Sequence, residues 1–118
     1  MTTQTTRTFT PIETQAELDA LFERSALEPV VIFKHSPTCG TSAQAYDELA
    51  SYLSGPDATE VHLLDVLRSR TLSQALAARA KVRHESPQLL VLQDGAVRWH
   101  GSHWNVTADA VRAAVVGD

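Results

Sequence analysis

The only cysteine of the chain, Cys39, lies in the run Val30-Val31-Ile32-Phe33-Lys34-His35-Ser36-Pro37-Thr38-Cys39-Gly40-Thr41-Ser42. Cysteine attacks as its thiolate, so its chemistry depends on what surrounds the sulfur. The four apolar residues Val30 to Phe33 read as a strand buried on both faces. Pro37, which has no N–H for a ladder, closes that strand. A helical pattern follows almost at once, with Ala43, Ala45, Tyr46, Leu49, Tyr52 and Leu53 at steps of three and four. Cys39 therefore falls where a buried strand turns into a helix. The unpaired N–H groups and partial positive charge of a helix start favour a thiolate there. An ordinary thiol titrates near ~8.5, and such positions bring it to about 3.5–7.5. The first turn, Gly40, Thr41 and Ser42, would supply that support. His35, four residues before the sulfur, could add a positive or donor group, its alternative being a solvated loop histidine. A lone cysteine elsewhere would more often be a small buried hydrophobe. Ser42 takes the position of a second cysteine, so the pattern is C-x-x-S and no internal disulfide can close.

Those residues need a scaffold, and the rest of the chain supplies one. Arg7 to Ile12 alternates as a short edge strand. Thr14-Gln15-Ala16-Glu17 has the form of a capping box opening a helix with Leu18, Leu21, Phe22 and Ser25 on one face. After the strand and helix around Cys39, Ser54-Gly55-Pro56-Asp57 is a breaker cluster. Val61 to Val66 reads as a second buried strand, and a helix follows over Ser69 to Ala80 with Leu72, Ala75, Leu76 and Ala80 inward. Two strands separated by a helix favour parallel pairing. Lys81 to Pro87 connects to a strand at Leu89–Leu92. Asp94-Gly95 is a hairpin turn, Ala96 to His100 returns antiparallel, Gly101 to Val106 is a loop, and Thr107 caps a last helix bearing Val111, Ala114 and Val115. The order β-α-β-α-β-α-β-β-α describes an α/β domain with a central mixed β-sheet flanked by helices. Residues 7–118 form one domain behind a threonine-rich, flexible 1–6.

Composition narrows the classes. The 118 residues suit one compact domain, and 43% apolar with 20% charged content is that of a soluble globular protein. A net charge of −4 with scattered basic residues gives no support to nucleic-acid binding. No apolar run approaches the ~20 residues of a membrane span, and the polar start lacks a secretory core. A single cysteine fits a reducing cytoplasm. His100, His103 and Trp104 resemble a zinc fragment only superficially, so no metal is expected; Trp104 reads as a loop anchor packed against the domain.

The element order, the cysteine after the second strand and the Ser86-Pro87 pair before the fourth resemble a thioredoxin-like fold. In that fold the matching proline is cis and faces the active-site sulfur. Carried over, Pro87 would be cis and close to Cys39, and the Ser86 backbone would hydrogen-bond an extended thiol substrate. More closely, Phe33-Lys34-His35-Ser36 before Thr38-Cys39 with Ser42, together with His84-Glu85-Ser86-Pro87-Gln88 and Ser102-His103-Trp104, is similar to the bacillithiol-system YtxJ family of monothiol bacilliredoxins. The resemblance spans about Thr14 to Val115. It implies a cytoplasmic, monomeric thiol-disulfide oxidoreductase that removes bacillithiol from client proteins through Cys39. Bacillithiol is then a co-substrate, and no cofactor is bound permanently. Thr38, His84, Ser86 and Pro87 would contact the substrate, while Glu85 would oppose thiolate formation. Arg83 and Lys34 could pair with the malate carboxylates of bacillithiol, although surface solvation is the expected role of each. Gly40 departs from the family's usual proline and makes Cys-Gly-Thr-Ser resemble the Cys-Gly-x-Ser of monothiol glutaredoxins. Two alternatives therefore stand beside the oxidoreductase: an iron–sulfur carrier and a non-catalytic binding module.

Overall fold

A computed structural model describes residues 9–56 and 58–117. The segment 1–6, expected to be flexible, and Arg7 and Thr8 of the expected first strand lie outside the described residues. The elements are β1 (Thr10–Pro11), α1 (Gln15–Arg24), β2 (Val30–His35), α2 (Gly40–Leu53), β3 (Val61–Asp65), α3 (Arg70–Ala80), β4 (Gln88–Gln93), β5 (Ala96–Ser102), a 3-10 turn (His103–Asn105) and α4 (Ala108–Val116). They form one five-stranded mixed sheet in the order β1-β3-β2-β4-β5. β3 runs parallel to both β1 and β2, while β4 is antiparallel to β2 and to β5. This is a thioredoxin fold. Among the described residues no helix is long and apolar enough to cross a membrane.

Local rules explain most of this arrangement. Thr14 and Glu17 close the capping box of α1, with the Glu17 N–H donating to Thr14 Oγ1 at 3.1 Å and Glu17 Oε1 accepting from the Thr14 N–H at 3.0 Å. The period-two alternation of β2 sends Val30 and Ile32 to one face, among the inward residues of α1 and α3. Val31 and Phe33 go to the other face, among those of α2 and α4. β4 divides in the same way, so both central strands are apolar on two sides. Asp94 and Gly95 have φ of 55° and 77°, the left-handed pair that a tight β4–β5 hairpin needs. In α2 the inward stripe is Ala45, Leu49, Tyr52 and Leu53, whereas Ala43 and Tyr46 are exposed at its margin.

Two segments differ from expectation at the end of the hairpin. β5 continues past His100 to Ser102, because His100, Gly101 and Ser102 pair with Leu90, Leu89 and Gln88. Residues His103–Asn105, expected as open loop, form the 3-10 turn.

Strand direction decides what meets what. His35 pairs with Asp65, Lys34 with Gln88, and Gln88 with Ser102. The loops after β2, β3 and β5 and the loop before β4 therefore leave one edge of the sheet, the edge where open α/β sheets place ligands.

Candidate active site

β2 delivers the chain to this edge and α2 takes it away, with Cys39 as the N-cap of α2. Its N–H donates to Ser36 O at 3.1 Å, closing a tight turn over Pro37 and Thr38, and its carbonyl accepts the first helical bond from Ala43 at 3.0 Å. Cys39 is half-buried between the exposed Thr38 and Gly40. No acidic residue occupies the first turn of α2, so its unpaired N–H groups face no competing carboxylate of their own helix.

Ser42, one turn into α2, is fully buried and ties the turn together. Its hydroxyl oxygen accepts from the Ser36 N–H at 2.9 Å and lies 2.7 Å from His35 Nδ1. The ring of His35 packs beside Phe33 and Tyr46, with centroids 5.3 Å away in each case. Burial lowers the His35 pKa below its ordinary value, partly offset by the carboxylate of Asp65. At neutral pH the imidazole is uncharged, and its Nδ1 is committed to Ser42. Thr41 is half-buried in the same turn.

The second half of the site comes from the segment before β4. The Ser86–Pro87 peptide is cis, and Pro87 O accepts the His103 N–H at 3.0 Å. Pro87 is buried, Ser86 half-buried and His84 exposed. His84 Nδ1 lies 3.4 Å from Ser73 Oγ on α3, and burial is the main cause lowering its pKa, aided by the positive charge of Lys34 and opposed by Glu85. Among the described residues no backbone bond outside helices and sheet ladder uses the Ser86 N–H or C=O. Both halves thus stand at one edge, brought there by the antiparallel pairing of β2 with β4.

Two expectations are corrected here. Lys34, read as a solvated side chain, is fully buried, because it shares the inward face of β2 with Val30 and Ile32. Burial lowers its pKa to about 8, with Glu85 pulling the other way. Trp104, read as an anchor packed on the domain, is 70% exposed, because the 3-10 turn carries it outward. Gln88 and Ser102 stand in the family-like motifs without a role of their own, Ser73 stands in none of them, and all three contact this segment. The alternation of β2 was the one signal available for Lys34. Among the described residues no three His, Cys, Asp or Glu side chains converge as metal ligands.

The family model described as monothiol bacilliredoxin BrxC matches residues 10–111. Among solved structures, a protein described as a candidate oxidoreductase with a thioredoxin fold is 28% identical, with a TM-score of 0.80 over 89% of this chain and 91% of that one. A mutant thioredoxin from Halobacterium salinarum is 19% identical, with a TM-score of 0.71 over 97% and 93%. A thioredoxin from Trypanosoma brucei brucei is 9% identical, with a TM-score of 0.73 over 98% and 95%. At such low identity the two thioredoxins bear on the fold alone.

Proposed function

This chain belongs to the monothiol bacilliredoxin BrxC family, a thioredoxin-fold oxidoreductase family, and we propose that it removes bacillithiol from mixed disulfides on client proteins. Cys39 attacks as a thiolate on the bacillithiol sulfur of the client disulfide. The client–bacillithiol S–S bond breaks, a new one joins Cys39 to bacillithiol, and the client sulfur leaves as a thiolate that takes up a proton. No net oxidation occurs in this exchange. A second thiol, from a small molecule or a partner redoxin, then attacks the Cys39 adduct and becomes oxidised as Cys39 is released.

One observation carries the reading. Cys39 is the N-cap of α2, and the place of a resolving cysteine is taken by Ser42, fully buried and bonded to His35 and Ser36. A mixed disulfide on Cys39 can therefore be resolved only by a thiol from outside the chain. Thr38, Ser86 and Pro87 lie at the same edge of the sheet, where an extended substrate can use the Ser86 peptide. His84 and Arg83, both exposed on the neighbouring loop, suit the anionic malate of bacillithiol.

The test is mass spectrometry of the intact protein after reaction with a bacillithiolated client peptide. The expected result is one bacillithiol on Cys39 for each free peptide thiol, and none of either with Cys39→Ser. Release of peptide without an adduct on Cys39 would sink the mechanism.

A further inference from the structure

Three adjacent strands end in a transverse polar row. Lys34 of β2 lies opposite Gln88 of β4, and Gln88 lies opposite Ser102 of β5. Residues in register across a sheet point to the same face. Two members of this row bond to the short segment Arg83–Pro87. Ser102 Oγ donates to Glu85 Oε2 at 3.2 Å, and Gln88 Nε2 donates to Arg83 O at 2.9 Å. Lys34 is 0% exposed, and its Nζ has no hydrogen-bond partner among the described residues. The carboxylate whose charge acts on it belongs to Glu85. Among the described residues the other buried side-chain polar atoms without partners, Ser86 Oγ and Gln88 Oε1, lie in this same part of the chain.

A buried ammonium without a partner is costly, and an apolar side chain of similar length would fill the space without that cost. We propose that Lys34 is a positioning residue for the exchange reaction: its buried positive charge, acting on Glu85, holds the Arg83–Pro87 segment so that the Ser86 peptide meets the substrate on Cys39. The inference rests on the exchange reading above. The carboxylate whose charge acts on Lys34 is that of Glu85, Lys34 in turn acts on His84, and Glu85 Oε1 also faces His103 Nδ1 at 3.8 Å. The register partners of Lys34 on β3 and β4, Leu64 and Gln88, carry no titratable group. Arg79 of α3 is paired with Asp19 of α1 at 2.7 Å.

Lys34→Met in the full chain tests this, because the thioether side chain keeps the length and loses the charge. KM for a bacillithiolated peptide should rise about tenfold as the Ser86 peptide loses its position, with the alkylation rate of Cys39 by iodoacetamide unchanged. Wild-type KM should climb toward the variant's value as pH passes about 8, where Lys34 loses its proton, while the variant's KM stays flat. Hydrogen exchange of the His103 amide, which donates to Pro87 O, should quicken in the variant. That readout needs no substrate, so it stands even if bacillithiol is not the ligand. A variant with wild-type KM, or with wild-type protection of the His103 amide, overturns the proposal. Failure of the wild-type protein to accept bacillithiol, with exchange at His103 still faster in the variant, sinks the functional reading and leaves the positioning of the segment in place.

Discussion

Ser42 shows how much one atom decides at this site. Its hydroxyl links His35 to the Ser36 N–H and pins the turn that carries Cys39. Replacing that oxygen with sulfur puts a second thiol one helical turn from the N-cap cysteine, within the Cα separation that disulfides span. Ser42→Cys should therefore lose both titratable thiols after mild oxidation, whereas two free thiols would show that the turn geometry is not that of a redoxin. Lys34 makes a prediction of the opposite kind, about stability. Its pKa is lowered from 10.5 to about 8 by burial. For a base held below its unfolded value, stability rises as pH climbs through that interval, because the unfolded chain binds the extra proton. The difference corresponds to about 3 kcal/mol. Urea unfolding should find Lys34→Met more stable than wild type at pH 7, with the gap closing between pH 8 and 10.5. A variant less stable at pH 7 would mean that the ammonium is held by contacts the structure lacks.

At the scale of an element, α2 matters most because its first residues face the reaction. Gly40 occupies the first helical position, a Cβ there would have no atom within 4 Å, and the preceding Cys39 is extended with φ −105° and ψ 127°. That backbone is the one a residue before proline prefers, and proline is well accommodated at the first position of a helix. Gly40→Pro should raise stability by about 0.4–1 kcal/mol through the unfolded state, read as an increase in thermal midpoint. A decrease would show that the Gly40 N–H is needed. α1 offers a control remote from the cysteine. Thr14→Ala removes one side of the capping box and should cost about 1 kcal/mol without changing exchange kinetics. The capping box and the cap of α4 were legible in sequence because such bonds join residues three apart. Lys34 was not, since its environment comes from strands and loops distant along the chain.

The whole molecule carries three histidines whose pKa values burial lowers: His35, His62 and His84. For His62 the carboxylate of Glu60 partly offsets that effect. A base with a depressed folded pKa contributes stability that is complete above its unfolded value of 6.5 and is lost as pH falls through the folded pKa. The urea midpoint should accordingly drop between pH 7.5 and 5.5, and His62→Gln should flatten that drop. A midpoint independent of pH across this range would contradict the burial of these rings. The carboxylates of Glu17, Asp19 and Glu60, whose pKa values hydrogen bonds lower, act only below their unfolded values and lie outside this window.

By itself, the amino-acid sequence determined the element order, the strand-to-helix position of Cys39 and the absence of a second thiol. Each follows from short-range periodicity, turn chemistry or a count, which neighbouring residues carry among themselves. Only the tertiary structure decided that Lys34 is buried and Trp104 exposed, that Ser42 is held by His35, and that Lys34, Gln88 and Ser102 form one row. The reason is register. A residue's partners in a sheet are set by strand order and by which strands run antiparallel, and a one-residue slip would turn every side chain to the other face. Residue types within a segment cannot specify that pairing; it emerges when β2, β4 and β5 bury their apolar faces together.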